Sequence, residues 1–186
     1  MNKKVLIGII AVVLIVIIGG TAMAGSGSND SDFNREGKSV STDAINLLPD
    51  ISVMKADSGW VSGGKSAASA GTNVVTAADV IFVKSGYSQN IITTISVYDT
   101  VDHAKAKYDE KKAEDSGTYV VTDEKGFEVC YSYTQSAGLM YIKQIVFRDM
   151  NVYGEIYSNS GVVHITDKEF KAITDDIEDK IIKAAA

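Results

Sequence analysis

The chain has 186 residues with 24 acidic and 18 lysine or arginine side chains, which gives a formal net charge of -6 at pH 7. Its single cysteine, Cys130, excludes an intrachain disulfide and a cysteine-rich zinc site. Beyond the N-terminus the lysines are mixed with acidic residues and form no basic stretch, which argues against nucleic acid as a partner.

The first 24 residues have the pattern of a membrane anchor. Residues 1–4 end in two lysines, and residues 5–18 are an apolar run that uncharged residues extend to position 24. This segment has about 20 residues, the length that a helix needs to cross the hydrocarbon core. Ala22 and Ala24 also suit signal-peptidase cleavage after Ala24, so a signal peptide is the alternative. We expect a single-pass protein anchored in the cell membrane by residues 5–24, or a secreted protein if the chain is cleaved.

A polar segment separates this anchor from the predicted domain. Residues 25–41 are rich in Gly, Ser, Asn and Asp, a composition typical of a flexible linker. Asn29 begins an N-x-S sequon, which is a glycosylation acceptor in exported chains. The remaining residues, 42–186, have the length of one domain, which we expect to lie outside the cytoplasm.

The predicted domain begins with a short helical turn. Residues 43–48 form this turn, and Pro49 ends it. An extended segment then starts within residues 51–61. Residues 62–71 are nearly all Gly, Ser and Ala, so they predict a loop or an irregular edge strand.

A strand pair and a helix follow. The β-branched residues within 74–83 and the alternation in 91–98 predict two strands that form a hairpin through residues 85–88. Thr100 suits a helix N-cap and Gly117 suits a helix end, so the segment between them predicts an amphipathic helix. Its apolar residues recur at helical spacing: Val101, Ala104 and Tyr108.

Three strands and a closing helix complete the predicted domain. Residues 127–134 alternate between apolar side chains, most of them aromatic, and polar or small ones, and short turns join them to strands at 139–148 and 152–158. Thr166 and Glu169 match a capping box. After it comes one apolar stripe: Phe170, Ile173, Ile177 and Ile181. The fold class is therefore α+β, with a mostly antiparallel meander sheet packed with two amphipathic helices and preceded by one N-terminal transmembrane or signal helix.

This order of elements carries a family resemblance. The order of elements resembles that of exported or membrane-anchored prokaryotic domains with the PsbP-like α-β sandwich. Three segments add to the resemblance: Ser58-Gly59-Trp60, residues 97–108 and residues 147–152. The resemblance implies an antiparallel sheet against helices and a non-catalytic accessory or binding role. It assigns no functional residue, because it rests on pattern and topology.

Two patterns could carry catalysis, and neither is complete. Cys130 has no base near it in sequence, and His103 and His164 lie far from it and from each other. Residues 59–66 fit the G-x4-G-K-S phosphate-loop pattern, but a poor helix former follows and the predicted sheet is antiparallel. We therefore expect no enzyme, no metal site and no cofactor.

Aromatic side chains offer a candidate ligand or partner surface. Its members are Trp60, Tyr131, Tyr133, Tyr141 and Tyr153. The sequence predicts a non-enzymatic, membrane-anchored binding or accessory module for a protein or envelope partner. The alternatives are an exported small-ligand carrier with an aromatic groove between the sheet and the last helix, and a nucleotide-binding or hydrolytic enzyme that uses residues 59–66 or Cys130.

Overall fold

One seven-stranded antiparallel sheet organises the fold in a computed structural model, which describes residues 33–55, 58–84, 86, 89–161 and 163–186. The strands are β1 (Trp60–Ala67), β2 (Val74–Lys84), β3 (Gln89–Tyr98), β4 (Thr122–Asp123), β5 (Val129–Ala137), β6 (Met140–Asp149) and β7 (Val152–Ser160). Their order across the sheet is β1-β2-β3-β7-β6-β5-β4. The helices are α1 (Ala44–Leu47), α2 (Val101–Ser116) and α3 (Asp167–Ala185), with a 3-10 turn at Ile51–Val53. The predicted α+β class and antiparallel meander are confirmed.

The predicted anchor lies outside this description. Residues 1–24 and Asn29 are not among the described residues, so the transmembrane, signal and glycosylation predictions stay predictions. Among the helices that the structure does describe, none has the length and apolar character of a membrane span.

Helix α3 covers one face of the sheet, here called the α3 face. Thr166 and Glu169 form the predicted capping box, in which each side chain accepts a hydrogen bond from the other residue's backbone N–H. The four residues of the predicted stripe are all buried: Phe170, Ile173, Ile177 and Ile181. Burial of one such side chain contributes about 1.5–3 kcal/mol, so the stripe is enough to fix the helix on the sheet.

Helix α2 packs on the opposite face, here called the α2 face. The Thr100 hydroxyl accepts a hydrogen bond from the backbone N–H of His103 at 3.2 Å, which confirms the predicted N-cap. Ala104 and Tyr108 are buried against the sheet, where α2 contacts β3, β6 and β7. Gly117 caps the C-terminus of α2, as predicted.

Strand β1 forms one edge of the sheet. Its register with β2 shifts between Ser62 and Lys65, which is a bulge, and Gly64 has a φ of 97° there. Residues 62–67 therefore confirm the irregular edge strand, and residues 68–71 belong to the loop that follows it. Strands β2 and β3 pair as predicted, from Val74 and Tyr98 to Lys84 and Gln89, although most of the turn between them is outside the described residues.

The packed domain begins earlier than the predicted boundary at residue 42. The compact unit is Phe33–Ala186. Val40 is buried, and Phe33 packs against the core of the α3 face. The described part of the predicted linker, residues 33–41, thus belongs to the folded domain. The polar composition of this segment did not indicate that it is folded, because the residues that it contacts lie more than 100 positions away in the chain.

The close packing of β6 on β7 gives a test of the fold. Gly154 pairs with Phe147, and a Cβ atom at position 154 would lie 2.2 Å from the Phe147 ring. Phe147 cannot move away easily, because it is buried and stacked on Phe127 at a centroid distance of 3.9 Å. We expect Gly154→Ala to lower the free energy of unfolding by about 1–3 kcal/mol in urea denaturation, as overpacked cores do.

Gly161→Ala is the matched control for that measurement. A Cβ atom at position 161 meets no atom within 4 Å, so its effect should stay within about 0.5 kcal/mol of zero. Equal stability of the two variants would contradict the described packing of β6 on β7.

Candidate functional site

The five aromatic residues of the predicted surface do not form one surface. Trp60 lies on the α3 face, and its indole N–H donates to Glu169 at 2.8 Å. Tyr131, Tyr133 and Tyr153 lie on the α2 face and are buried. Tyr141 is half-buried and its ring lies 4.2 Å from that of His164. A ligand could therefore not contact all five at once.

The buried tyrosines take part in a polar network under α2. Tyr131 donates to Asp115 at 2.8 Å, and Lys111 donates to the other Asp115 oxygen, also at 2.8 Å. Tyr153 donates to Glu155 at 2.5 Å. Burial raises the pKa of both tyrosines, with hydrogen bonds to the carboxylates and nearby negative charges adding to the effect. Both hydroxyls stay neutral and are satisfied within the protein, and the Tyr131–Asp115 hydrogen bond joins β5 to α2.

The same network accounts for Tyr133. Its hydroxyl donates to the Gln144 side chain at 2.6 Å, and the Gln144 amide donates to Glu155 at 2.6 Å. Its ring also stacks on Tyr119 at a centroid distance of 4.1 Å. Tyr133 is therefore a packing residue in this structure.

The space between the sheet and α3 holds a packed core. Buried residues of the sheet, among them Phe82, Ile95 and Ile156, form one cluster with the apolar stripe of α3. The hypothesis of a small-ligand carrier requires an aromatic groove between the sheet and α3. Within the described residues, the packed core leaves no such groove.

Cys130 is buried in that same core. It lies on the α3 face of β5, whereas His103 belongs to α2 on the opposite face. His164 stacks on Tyr141 instead. Burial raises the pKa of the Cys130 thiol to about 12, and nearby carboxylates add to the rise. A thiol with this pKa is a poor nucleophile at neutral pH.

The phosphate-loop pattern has a structural use. Most of residues 59–66 lie in the antiparallel edge strand β1, and the chain continues into β2 rather than into a helix. The Lys65 ammonium group donates to the Leu48 carbonyl at 2.9 Å and to Asp50 at 2.7 Å. The lysine that would bind phosphate in such a loop instead holds the segment after α1 on the domain. Among the described residues, no group of three or more His, Cys, Asp or Glu side chains could hold a metal ion.

The α2 face has a part that α2 does not bury. The strand registers place eight exposed or half-buried side chains in two adjacent rows across β1, β2, β3, β7 and β6. This set of side chains is here called the open patch. Its members are Val61, Ile81, Val83, Asn90, Ile92, Ile142, Tyr157 and Asn159. Val61 and Val83 pair across β1 and β2 and are 55% and 38% exposed. Ile81 pairs with Ile92, which pairs with Tyr157.

The open patch is apolar and uncharged. Six of its eight side chains are aliphatic or aromatic, and the other two are amides. The outer surfaces of α2 and α3, in contrast, carry closely spaced Lys, Asp and Glu residues. Depletion of charge within an apolar set of side chains is typical of the centre of a protein–protein interface.

Sequence reasoning missed this surface because it followed only one phase of β3. The alternation in residues 91–98 predicts one buried face with Ile91, Thr93, Ile95 and Val97, and all four are buried on the α3 face. Ile92, on the opposite phase, was the available signal. An isoleucine among polar residues on the second face of a strand indicates contact on that face also.

Comparisons with known proteins support the fold. No family model matches the sequence, and no curated protein matches it. Among solved structures, the extracellular domain of PknH from Mycobacterium tuberculosis is similar, with a TM-score of 0.55 and 18% sequence identity. The match covers 74% of this chain and 93% of that chain. At this identity the likeness is one of fold alone, and the PsbP-like resemblance gains no support from any match.

The buried thiol gives a chemical test of this geometry. Because burial raises the pKa of the Cys130 thiol to about 12, only a trace of it is thiolate at pH 8. We expect iodoacetamide to leave Cys130 unmodified in the native protein at pH 8, as measured by intact mass.

The control for that test is the same protein in 8 M urea, where unfolding exposes the thiol and alkylation should be complete within about the time for a free cysteine. Rapid alkylation of the native protein would contradict the buried position of Cys130 and revive the nucleophile hypothesis.

Proposed function

We propose that this chain is a non-enzymatic, membrane-anchored binding module whose domain lies outside the cytoplasm and contacts a protein partner through the open patch. The observation that carries the proposal is the patch itself, an uncharged and partly exposed set of aliphatic, aromatic and amide side chains on a rigid sheet. Covering apolar surface of this kind with a partner is favourable, because it removes that surface from water.

Because the open patch lies on paired strands, it favours a partner that presents a preformed surface. Antiparallel strands fix the spacing of its side chains, because neighbouring strands lie about 4.8 Å apart. Five strands contribute to it, from β1 to β6, so it extends about 19 Å across the sheet. This is too small for a complete interface of about 800 Å² per partner, but it suits the apolar centre of one.

Two further observations support an exported binding role. The apolar run at residues 5–18, preceded by two lysines, favours export with the head left in the cytoplasm. The PknH structure that has a similar fold is an extracellular domain. A partner made of anionic polymer or lipid is disfavoured, because the patch contains no lysine or arginine.

Substitution of Val61 tests the proposal. Its exposed position should let Val61→Asp fold normally, while the buried interface would acquire an unpaired charge. The partner is first identified as a defined protein that cross-links and co-purifies with the wild-type chain from native membranes. We expect this protein to bind the variant at least about 30-fold more weakly than the wild type, as for a hot-spot residue.

The matched control is Val120→Asp, because Val120 is 90% exposed and lies outside the open patch. It should bind the same partner as the wild type. Equal binding by both variants, with urea denaturation showing equal stability, would remove the open patch as the binding surface.

A further inference from the structure

A cleft of about 500 Å³ opens between α2 and the turn that precedes β2. Its size is within the range of about 300–1,000 Å³ that small-ligand sites have. Residues 71–74 form one wall, residues of α2 form the other, and Tyr98 at the end of β3 completes the lining. The cleft is separate from the packed core under α3, and its lining shares no residue with the open patch.

Backbone hydrogen bonds fix the wall that residues 71–74 form. The Val74 N–H donates to the Gly71 carbonyl at 3.3 Å, which closes a turn, and the Asp99 N–H donates to the Asn73 carbonyl at 3.0 Å. Asn73 has a φ of 62°, a left-handed conformation that asparagine adopts more readily than most residues. This wall is therefore preformed, which lowers the ordering entropy that ligand binding has to overcome.

The wall that α2 forms carries polar side chains at helical spacing. His103, Lys107 and Glu110 follow one another at intervals of four and three positions, so they lie along one side of the helix. The Lys107 ammonium group donates to Glu110 at 3.0 Å, and the two side chains are 40% and 71% exposed. Exposed ion pairs add little stability, so both groups can exchange this contact for a ligand. The Nδ1 atom of His103 lies 2.6 Å from an Asp99 carboxylate oxygen, which leaves Nε2 for a ligand.

The side chain of Tyr98 gives independent evidence of a ligand. Tyr98 is only 8% exposed, yet its hydroxyl makes no hydrogen bond with any described residue, whereas those of Tyr131 and Tyr153 both donate to carboxylates. Desolvation raises the pKa of Tyr98, so the hydroxyl stays protonated and remains a donor. The charges of Lys107 and Glu110 also act on this hydroxyl, which places it near both side chains. A buried tyrosine hydroxyl usually has an acceptor, because an unsatisfied donor costs free energy.

We infer that this cleft binds a small zwitterionic ligand of the class of amino acids and short peptides, a function beyond the proposed contact with a protein partner. The ligand carboxylate accepts hydrogen bonds from Tyr98 and Lys107, which releases Glu110 to bind the ligand ammonium group. The two walls suit such a ligand because the α2 side contributes one lysine and one glutamate. A ligand with charge of one sign only meets a like charge at one of these two residues, whereas a zwitterion is matched to both.

Amide proton–nitrogen correlation spectra of the full chain in a nonionic detergent test this inference. The probes are alanine and dialanine, which present the same two charged groups at different separations. We expect at least one probe, at millimolar concentration, to shift the backbone signals of Asn73, His103 and Lys107 in a saturable way. Tighter binding of alanine identifies a free amino acid as the ligand, and tighter binding of dialanine identifies a peptide.

Two modified probes test the role of each charge. Alaninamide lacks the carboxylate, and N-acetylalanine lacks the ammonium group. If dialanine is the tighter probe, its C-terminal amide and its N-acetyl form take their place. Each should bind at least about 10-fold more weakly than the unmodified probe, because each loses a hydrogen bond to a charged group.

Tyr98→Phe separates a ligand-binding role of the hydroxyl from a structural one. Since this hydroxyl has no partner among the described residues, its removal should leave the urea midpoint unchanged while the probe binds at least about 10-fold more weakly. Lys107→Met should weaken binding by at least the same factor. Tyr119→Phe is the matched control, because Tyr119 does not line the cleft and a phenylalanine can keep its ring stacked on Tyr133. It should bind the probe as the wild type does.

Absence of saturable shifts with both alanine and dialanine would overturn the inference. So would equal affinity for the probe without its carboxylate, or a Tyr98→Phe variant that unfolds at lower urea concentration and binds the probe normally. Val61→Asp changes only the open patch, so it should leave probe binding unchanged. Failure of the cleft and failure of the proposed protein-binding surface are therefore distinguishable.

Discussion

A sheet of seven strands has two faces to cover, and the described part of the chain has two long helices with which to cover them. Helix α3 is the longer, and its stripe of one phenylalanine and three isoleucines completes the main core. Helix α2 has fewer apolar residues, and its contact with the sheet depends on Ala104, Tyr108 and a set of hydrogen-bonded tyrosines. The open part of the sheet accordingly lies on the α2 face.

The helices and most strands were predictable because their signals are local. Thr166 and Glu169 are three positions apart, and the apolar residues of α3 recur at the helical period, so neighbouring sequence is enough to identify the helix. Alternation along β5 likewise indicated a strand. It did not indicate which face each side chain occupies, and its two tyrosines, Tyr131 and Tyr133, proved to lie under α2.

The features that sequence reasoning missed depend on distant partners. Arg35 is separated from Asp149 and Glu178 by 114 and 143 positions. No composition rule could distinguish its polar neighbours from a flexible linker, because the distinction lies in those two contacts. The open patch was missed for a similar reason: Val61, Ile81 and Ile92 come together only through the registers of three strands.

Under the export proposed above, the burial of Cys130 has a consequence for the maturation of the chain. Extracytoplasmic compartments are oxidising, and a reactive thiol there forms mixed disulfides with other chains. Here the sulfur is enclosed by the sheet and α3, and its thiolate is disfavoured by desolvation. Once folded, the chain can keep its only thiol reduced without an oxidoreductase, and folding itself becomes the step that protects it.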